Sequence, residues 1–178
     1  MTVGAELWDV LDEQGEPTGE VVRRGAPGWP SGRFHLVVAT CVVRADGRVL
    51  LTQRAATKEF PLAWELPGGS ALAGEPSPRA AARELREETG LEVALADLGL
   101  AGRFTEASAF VDLYVAAVRD PGGPELRLDP GEVHAAEWVT LGTVEARLAA
   151  GRLAEPWTAR LGALWPEVRR RACASMRP

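Results

Sequence analysis

The stretch from Gly69 to Leu91 constrains this chain more than any other part of its sequence. Its second half carries Glu84, Glu87 and Glu88, and a helix over residues 78–89 would space them i, i+3 and i+4. Side chains at that spacing share one face of a helix, so three like charges would stand close together. A hard divalent cation such as Mg²⁺ would offset their repulsion, because carboxylate oxygens are ligands that it takes.

Several features predict that residues 78–89 are helical. Ser77 is the expected N-cap, and Pro78 suits the first helical position, where no N–H is needed. Residues 80–86 are good helix formers, and Gly90 stands where a left-handed C-terminal cap belongs. A narrow face of small residues indicates close packing against a sheet. That face consists of Ala81, Ala82, Leu85 and Thr89.

A solvated acidic helix face is the alternative to a metal site, since glutamates are mostly surface residues. Against it, Glu84 and Glu88 repel each other at i+4. Arg83, at i−4 from Glu87, offsets this repulsion by only roughly 0.3 kcal/mol. The adjacent Gly68-Gly69 pair allows backbone to approach the same place. Spacing alone leaves both interpretations open.

The motif around these glutamates is longer than the helix. Gly69 is followed after five residues by Glu75, and seven residues later the chain reads Arg-Glu-Leu-Arg-Glu-Glu-Thr-Gly-Leu over residues 83–91. This pattern resembles the full signature of the Nudix hydrolases at every defined position. The resemblance extends over about residues 34–141. It implies an α/β/α sandwich with a mixed β-sheet, and hydrolysis of a nucleoside diphosphate linked to another group with Mg²⁺ or Mn²⁺.

The resemblance also implies roles for individual residues. The implied metal ligands are Glu84, Glu87, Glu88 and, as a further candidate, the carbonyl of Gly69. Arg83 and Glu75 would form a supporting pair. Glu132, on a loop ahead of Trp138, resembles a glutamate that several members place over the metal site. We expect an extra ligand or the general base there, with a solvated loop charge as the alternative.

The chemistry expected of such a site follows from its charges. Hydrolysis of a diphosphate requires water to attack phosphorus while negative charge spreads over phosphate oxygens, which carboxylates do not stabilise without cations between them and the substrate. A carboxylate then takes the proton. Within the family that this sequence resembles, a signature glutamate or a loop glutamate takes that role, so the resemblance implies Glu84, Glu87, Glu88 and Glu132 as candidate catalytic residues.

Three upstream residues are weaker candidates for substrate binding. Arg54 and Lys58 precede the glycines and have the charge to grip phosphates, although a solvated or structural role is more common for such residues. Trp64 has a ring that can stack on a base, with burial in the core as its alternative.

Composition limits the remaining possibilities. With 178 residues, of which 46% are hydrophobic, the chain is long enough for one core with appendages and too short for two full domains. Its net charge of −5 argues against general binding to nucleic acid or to anionic membranes. A small-molecule diphosphate remains compatible with an acidic protein. The sequence has no apolar run near 18 residues and no signal peptide pattern, and two cysteines make no disulfide framework, so we expect a cytoplasmic protein.

The order of predicted elements suggests three parts within a single domain. Residues 1–33 form an N-terminal β-hairpin and loop, residues 34–141 the catalytic core, and residues 142–178 a C-terminal helical segment. Strands are predicted over 35–43, 49–53, 102–106, 111–118 and 133–139, a strand and turn within 91–100, and helices over 143–150 and 156–171. The last helices carry Trp157 and Trp165 and either pack on the core or form a homodimer.

Two other functions deserve comparison with hydrolysis. The N-terminal segment resembles isopentenyl-diphosphate isomerases, which share the Nudix fold, and His35 matches one of their metal ligands. Those enzymes use a Cys-Gly-His segment before the acidic helix, whereas this chain has Gly68 and Ser70 in place of the Cys and His. A non-catalytic Nudix-like binding module is the other alternative, but such modules usually lose signature glutamates. The substrate patterns of coenzyme A, ADP-ribose and NADH pyrophosphatases are incomplete here, and oxidised nucleotides remain open.

Overall fold

The computed structural model describes residues 6–27, 29–119 and 124–175, and these form two sheets and three α-helices. The elements in chain order are β1 (Leu7–Leu11), β2 (Pro17–Arg23), β3 (His35–Arg44), β4 (Val49–Arg54), β5 (Trp64–Glu65), β6 (Gly68–Ser70), α1 (Ser77–Thr89), β7 (Gly99–Thr105), β8 (Ala109–Val118), β9 (Val133–Val139), α2 (Leu141–Ala149) and α3 (Pro156–Ser175).

The larger sheet is mixed and has the order β5-β4-β3-β8-β7, with β6 also paired to β3 and β9 to β4. Strands β3 and β8 run parallel, and the remaining pairs are antiparallel. The apolar run of β3 is buried because helices cover both faces of the sheet. Ala39 and Cys41 face the cluster formed with α2 and α3, whereas Val38 and Val42 face α1. This architecture is the predicted α/β/α sandwich.

Helix α3 packs on the sheet, which is one of the two placements expected for the C-terminal tryptophans. Trp157 and Trp165 are both buried in the main hydrophobic cluster. Their indole N–H groups donate to Glu65 and Glu145, so burial leaves neither group without a partner. None of the helices in the described ranges is long and apolar enough to cross a membrane.

The predicted N-terminal hairpin is confirmed as a separate two-stranded sheet, β1 with β2. The Asp12 side chain holds its turn by accepting from the amides of Gln14 at 2.9 Å and Glu16 at 3.0 Å. Leu11 exchanges two backbone hydrogen bonds with Phe34, just before β3. The hairpin is thereby joined to the start of the main domain.

Two local predictions are wrong. Ser77 is not an N-cap, because α1 begins at Ser77 itself and Pro76 takes the cap position without a side-chain bond. The Ser77 hydroxyl instead donates to Asp112 on β8. The region 91–100 contains no strand before Gly99, and a single 3-10 turn at Leu95–Asp97 stands there instead. The hydrogen bond from Ser77 to a distant strand explains why its hydroxyl does not cap the helix.

Candidate active site

Strand β6 brings backbone to the acidic helix, as the glycine pair predicted. Gly68 and Gly69 pair with Ala39 and Val38 on β3. A Cβ on Gly68 would lie 2.2 Å from the Val38 carbonyl oxygen, so no side chain fits there. A Cβ on Gly69 would lie 2.6 Å from the carboxylate carbon of Glu84. Gly69 therefore leaves room for the Glu84 carboxylate, and Gly68 leaves room for the backbone of β3.

Arg83 is the centre of the polar contacts on α1. Its Nε and Nη2 donate to the two carboxylate oxygens of Glu75 at 2.9 and 2.8 Å, and Nη2 also donates to the Ser70 carbonyl at 3.0 Å. Its Nη1 donates to Glu84 at 2.8 Å and to Glu87 at 2.9 Å. One guanidinium thus ties the loop after β6 to two of the three helix glutamates.

The three helix glutamates have different surroundings. Glu88 is buried and accepts from the Gly68 amide at 3.0 Å. Burial raises the pKa of Glu88 well above its usual value, and the negative charges of Glu65 and Glu84 raise it further. Burial also raises the pKa of Glu84, although the charge of Arg83 opposes the effect. Glu87 is half exposed, with 50% of its side chain accessible.

Glu65 belongs to this site, although it was not among the residues predicted from the sequence. Arg54 Nη1 donates to both of its carboxylate oxygens, at 2.8 and 2.9 Å, and the Trp157 indole donates at 3.3 Å. Burial raises the pKa of Glu65 despite the charge of Arg54. A lone glutamate in the two-residue strand β5 shows no periodicity, so the adjacent glycine pair was the one available signal.

Glu132 reaches the same region from the loop before β9. Its side chain is ion-paired with Lys58, and its carbonyl accepts from the Ala55 amide at 2.9 Å. The charge of Glu132 also contributes to the raised pKa of Glu88, after burial and other charges. The loop glutamate is therefore close to the signature helix, although it lies 44 residues after Glu88 in the sequence.

A cleft of about 220 Å³ opens beside Gly68 and Gly69. Its lining combines apolar groups with the Arg54 and Glu65 pair. The apolar and aromatic residues that line it are Val37, Val38, Ala39, Phe60, Leu66, Ala154, Pro156 and Trp157. The lining also includes the charged side chains of Glu59 and Arg160, so the cleft combines apolar walls with groups that can bind a polar ligand.

Comparison with known proteins decides the family. The sequence model of the NUDIX domain matches residues 33–161, which is most of the chain. The chain belongs to the Nudix hydrolase family. It is accordingly a hydrolase that acts on pyrophosphate bonds, as the signature over residues 69–91 predicted.

Three similar proteins match this chain over most of its sequence. An uncharacterized Nudix hydrolase of Listeria monocytogenes is 36% identical over 148 residues, which cover 82% of this chain and 86% of the relative. An isopentenyl-diphosphate Delta-isomerase of Nocardia farcinica is 31% identical over 166 residues, or 85% of this chain and 89% of the relative. A solved structure from Deinococcus radiodurans matches with a TM-score of 0.73 and 27% identity, covering 93% of this chain and 98% of that chain.

The Nudix signature residues fit a divalent cation in their chemistry. Their carboxylates are hard oxygen donors of the kind that Mg²⁺ takes, and a Cβ at Gly69 would fill the space beside Glu84. Their present arrangement is different from a ligand shell. Within the three ranges that the structure describes, no three His, Cys, Asp or Glu side chains stand together in a metal-binding group. Arg83 accounts for part of this, because it holds Glu84 and Glu87.

The structure places the weaker substrate candidates in two groups. Arg54 lines the cleft and pairs with Glu65, whereas Lys58 pairs with Glu132. The charges of both glutamates act on Glu88 of the Nudix helix. Trp64 packs against the core, and Arg147 covers its ring at 4.5 Å from the centroid. Trp64 does not line the cleft, so this geometry gives no support to stacking on a base.

Proposed function

We propose that this Nudix hydrolase cleaves a diphosphate linkage in a nucleoside diphosphate derivative, by attack of water at phosphorus, with Mg²⁺ or Mn²⁺ as its cofactor. Glu84, Glu87 and Glu88 would hold the metal, with the Gly69 carbonyl as a further ligand. One observation carries the proposal: the carboxylates of Glu84 and Glu88 both lie against the glycine strand β6. Burial there raises the pKa of each. A bound cation would relieve this cost.

The chain's own residues would prepare these ligands. When bound, the metal would supply positive charge to the diphosphate oxygens and polarise water. Arg83 fixes the positions of Glu84 and Glu87, and the Gly68 amide fixes Glu88. Glu75 in turn fixes Arg83 by two charge-assisted hydrogen bonds, which are the stronger kind.

Arg54 and Lys58 are proposed to bind substrate phosphate oxygens. Each is paired with a carboxylate whose charge acts on Glu88, Arg54 with Glu65 and Lys58 with Glu132. A phosphate offers both cations additional acceptors, and the guanidinium of Arg54 has donors beyond the one that Glu65 takes.

Glu132 is the proposed general base. A base must be reachable by the water that it activates, and 39% of the Glu132 side chain is exposed. Its loop position also leaves it free of the contacts that Arg83 makes with Glu84 and Glu87.

Isomerisation is the second candidate, because the Nocardia farcinica isomerase matches most of the chain. The cysteine that isomerases carry would not fit at the corresponding position, Gly68. A Cβ there would lie 2.2 Å from the Val38 oxygen and 2.7 Å from the Ala39 Cα. Those atoms are backbone, so they cannot turn aside for a side chain.

Product analysis in ¹⁸O-labelled water tests the proposal. The purified protein is incubated with Mg²⁺ and nucleoside triphosphates, oxidised nucleotides, dinucleotides, nucleotide sugars and isopentenyl diphosphate. We expect cleavage of at least one nucleotide derivative, with ¹⁸O in a phosphate product as the mark of attack at phosphorus. Conversion of isopentenyl diphosphate to its isomer would favour the second candidate, and a folded protein inactive on every compound would favour the binding module.

A further inference from the structure

The N-terminal hairpin contacts the loop between β6 and α1 directly. The Leu7 carbonyl accepts from the Ala73 amide at 2.8 Å, and the Asp9 carboxylate accepts from the Gly74 amide at 2.7 Å. Gly74 has a φ of +73°, so the loop turns sharply at the residue that Asp9 binds. A side chain of β1 therefore holds the tip of a loop that belongs to the catalytic core.

The loop that Asp9 holds presents Glu75 to the signature helix. The Glu75 carboxylate accepts from the Leu72 amide at 3.0 Å, and the Glu75 amide donates to the Leu72 carbonyl at 2.9 Å. These bonds close a turn with Gly74 at its corner. Movement of Gly74 would thus displace Glu75, whose two carboxylate oxygens accept hydrogen bonds from Arg83.

The hairpin does not need the Asp9 carboxylate for its own pairing. Strands β1 and β2 pair through their backbones, with Asp9 opposite Val21. The turn of the hairpin is held by a different side chain, Asp12. The contact from Asp9 therefore acts outward, on the catalytic core.

We propose that Asp9 is a positioning residue for the metal ligands of this enzyme. It fixes Gly74 and with it Glu75, Glu75 fixes Arg83, and Arg83 fixes Glu84 and Glu87. The inference rests on the proposed function, since it assigns the end of this series of contacts to metal binding. It gives the N-terminal extension a part in assembling the active site.

The test compares Mn²⁺ affinity, measured by the electron paramagnetic resonance signal of free Mn²⁺, in the full-length wild-type protein and three variants. Asp9→Ala removes the acceptor, Asp9→Asn keeps an acceptor oxygen without the charge, and Glu20→Ala removes one charge from exposed β2. We expect Asp9→Ala to weaken Mn²⁺ binding about tenfold, as for other residues that orient ligands. Asp9→Asn should recover most of the loss, and Glu20→Ala should match the wild type.

A second readout does not depend on metal. Hydrogen exchange at Arg83 Nε, followed by NMR, should quicken in Asp9→Ala and not in Asp9→Asn or Glu20→Ala. Equal exchange and equal Mn²⁺ affinity in Asp9→Ala and wild type would overturn the inference, as would an Asn variant as impaired as the Ala variant. A wild-type protein that binds no Mn²⁺ contradicts the proposed function instead, while the exchange comparison still decides the role of Asp9. Asp9→Ser, whose side chain is too short to reach Gly74, replaces the Ala variant should that variant fail to fold.

Discussion

The guanidinium of Arg83 grips the carboxylate of Glu75 through two parallel hydrogen bonds, Nε to Oε1 at 2.9 Å and Nη2 to Oε2 at 2.8 Å. This fork geometry fixes the plane of the guanidinium, so that Nη1 points at Glu84 and Glu87. The charges and hydrogen bonds of these carboxylates raise the pKa of Arg83 above its already high value. A lysine would keep the charge and lose the fork.

Arg83→Lys should therefore lower the rate of diphosphate cleavage roughly 10- to 100-fold, the usual effect of losing a group that orients metal ligands. The melting temperature should change little, because the charge is kept. Steady-state kinetics and thermal unfolding measure the two effects. Arg86→Lys, an exposed change three residues along the same helix, is the control and should behave as the wild type. Equal rates in both variants would contradict the role given to Arg83.

Alanine substitutions at Gly68 and Gly69 should have different effects, the first on stability and the second on activity. Gly68→Ala forces a Cβ into backbone atoms of Val38 and Ala39, and overpacking of this kind costs about 1–3 kcal/mol of unfolding free energy. Gly69→Ala meets only the end of the Glu84 side chain, which turns aside. We expect Gly69→Ala to lose cleavage activity with little loss of stability. Chemical denaturation and activity assays separate the two outcomes.

Gly162, on the exposed side of α3, is the matched control for both alanine variants. A Cβ there meets no atom within 4 Å. Because alanine restricts the unfolded chain more than glycine and favours helix, Gly162→Ala should raise the free energy of unfolding by about 0.5–1 kcal/mol. A Gly69→Ala enzyme with wild-type activity would show that Glu84 does not need the space beside β6.

The signature helix was the part of the site that sequence could predict, because its signals are local. Residues 83–91 carry the motif, and the C-terminal cap at Gly90 has the expected φ of +75°. The i−4 pairing of Arg83 with Glu87 was also predicted and is present. In each case the deciding contacts lie within a few residues along the chain.

Contacts between distant parts of the chain explain what sequence did not predict. Ser77 has the composition of an N-cap but is drawn to Asp112, which lies 35 residues away. Lys58 and Glu132 meet across 74 residues, and Glu65 meets Trp157 across 92. These contacts form only when the chain folds, so neither residue spacing nor secondary-structure propensity predicts them.

The two cysteines should differ in reactivity. Burial raises the pKa of the Cys41 thiol to about 12, whereas Cys173 on α3 is exposed. Since the thiolate is the reactive form, a disulfide reagent at pH 8 should label one thiol per native chain and two after unfolding in guanidinium chloride. Loss of the native label in Cys173→Ser identifies the exposed thiol. Rapid labelling of two native thiols would contradict the burial of Cys41.

His35 should titrate below the ordinary histidine range. Burial lowers its pKa from 6.5, even though Nδ1 donates to the Ser108 carbonyl at 2.9 Å. The imidazole also stacks on Trp8, with ring centroids 4.5 Å apart. NMR titration of the ring protons measures this pKa, and His134→Gln leaves His35 as the chain's single histidine for assignment. A midpoint at or above 6.5 would contradict the prediction.

The sign of the resulting pH effect on stability follows from the lowered pKa. Between the folded and unfolded pKa values the unfolded chain binds more protons, so the stabilisation from neutral His35 is complete above pH 6.5 and is lost as the pH falls. His35→Asn keeps a donor for Ser108 without the titration. The difference in melting temperature between wild type and this variant should therefore shrink on acidification from pH 7.5 to about 5.5.

Mg²⁺-dependent cleavage by Glu87→Gln tests the central claim most directly. Glu87 is half exposed, so its replacement should leave the melting temperature almost unchanged, while removal of a metal ligand should lower the cleavage rate at least about tenfold and raise the Mg²⁺ requirement. Glu92→Gln, an exposed change just after the helix, should behave as the wild type. Cleavage by Glu87→Gln at the wild-type rate, or wild-type cleavage that persists after all metal is chelated, would contradict the account.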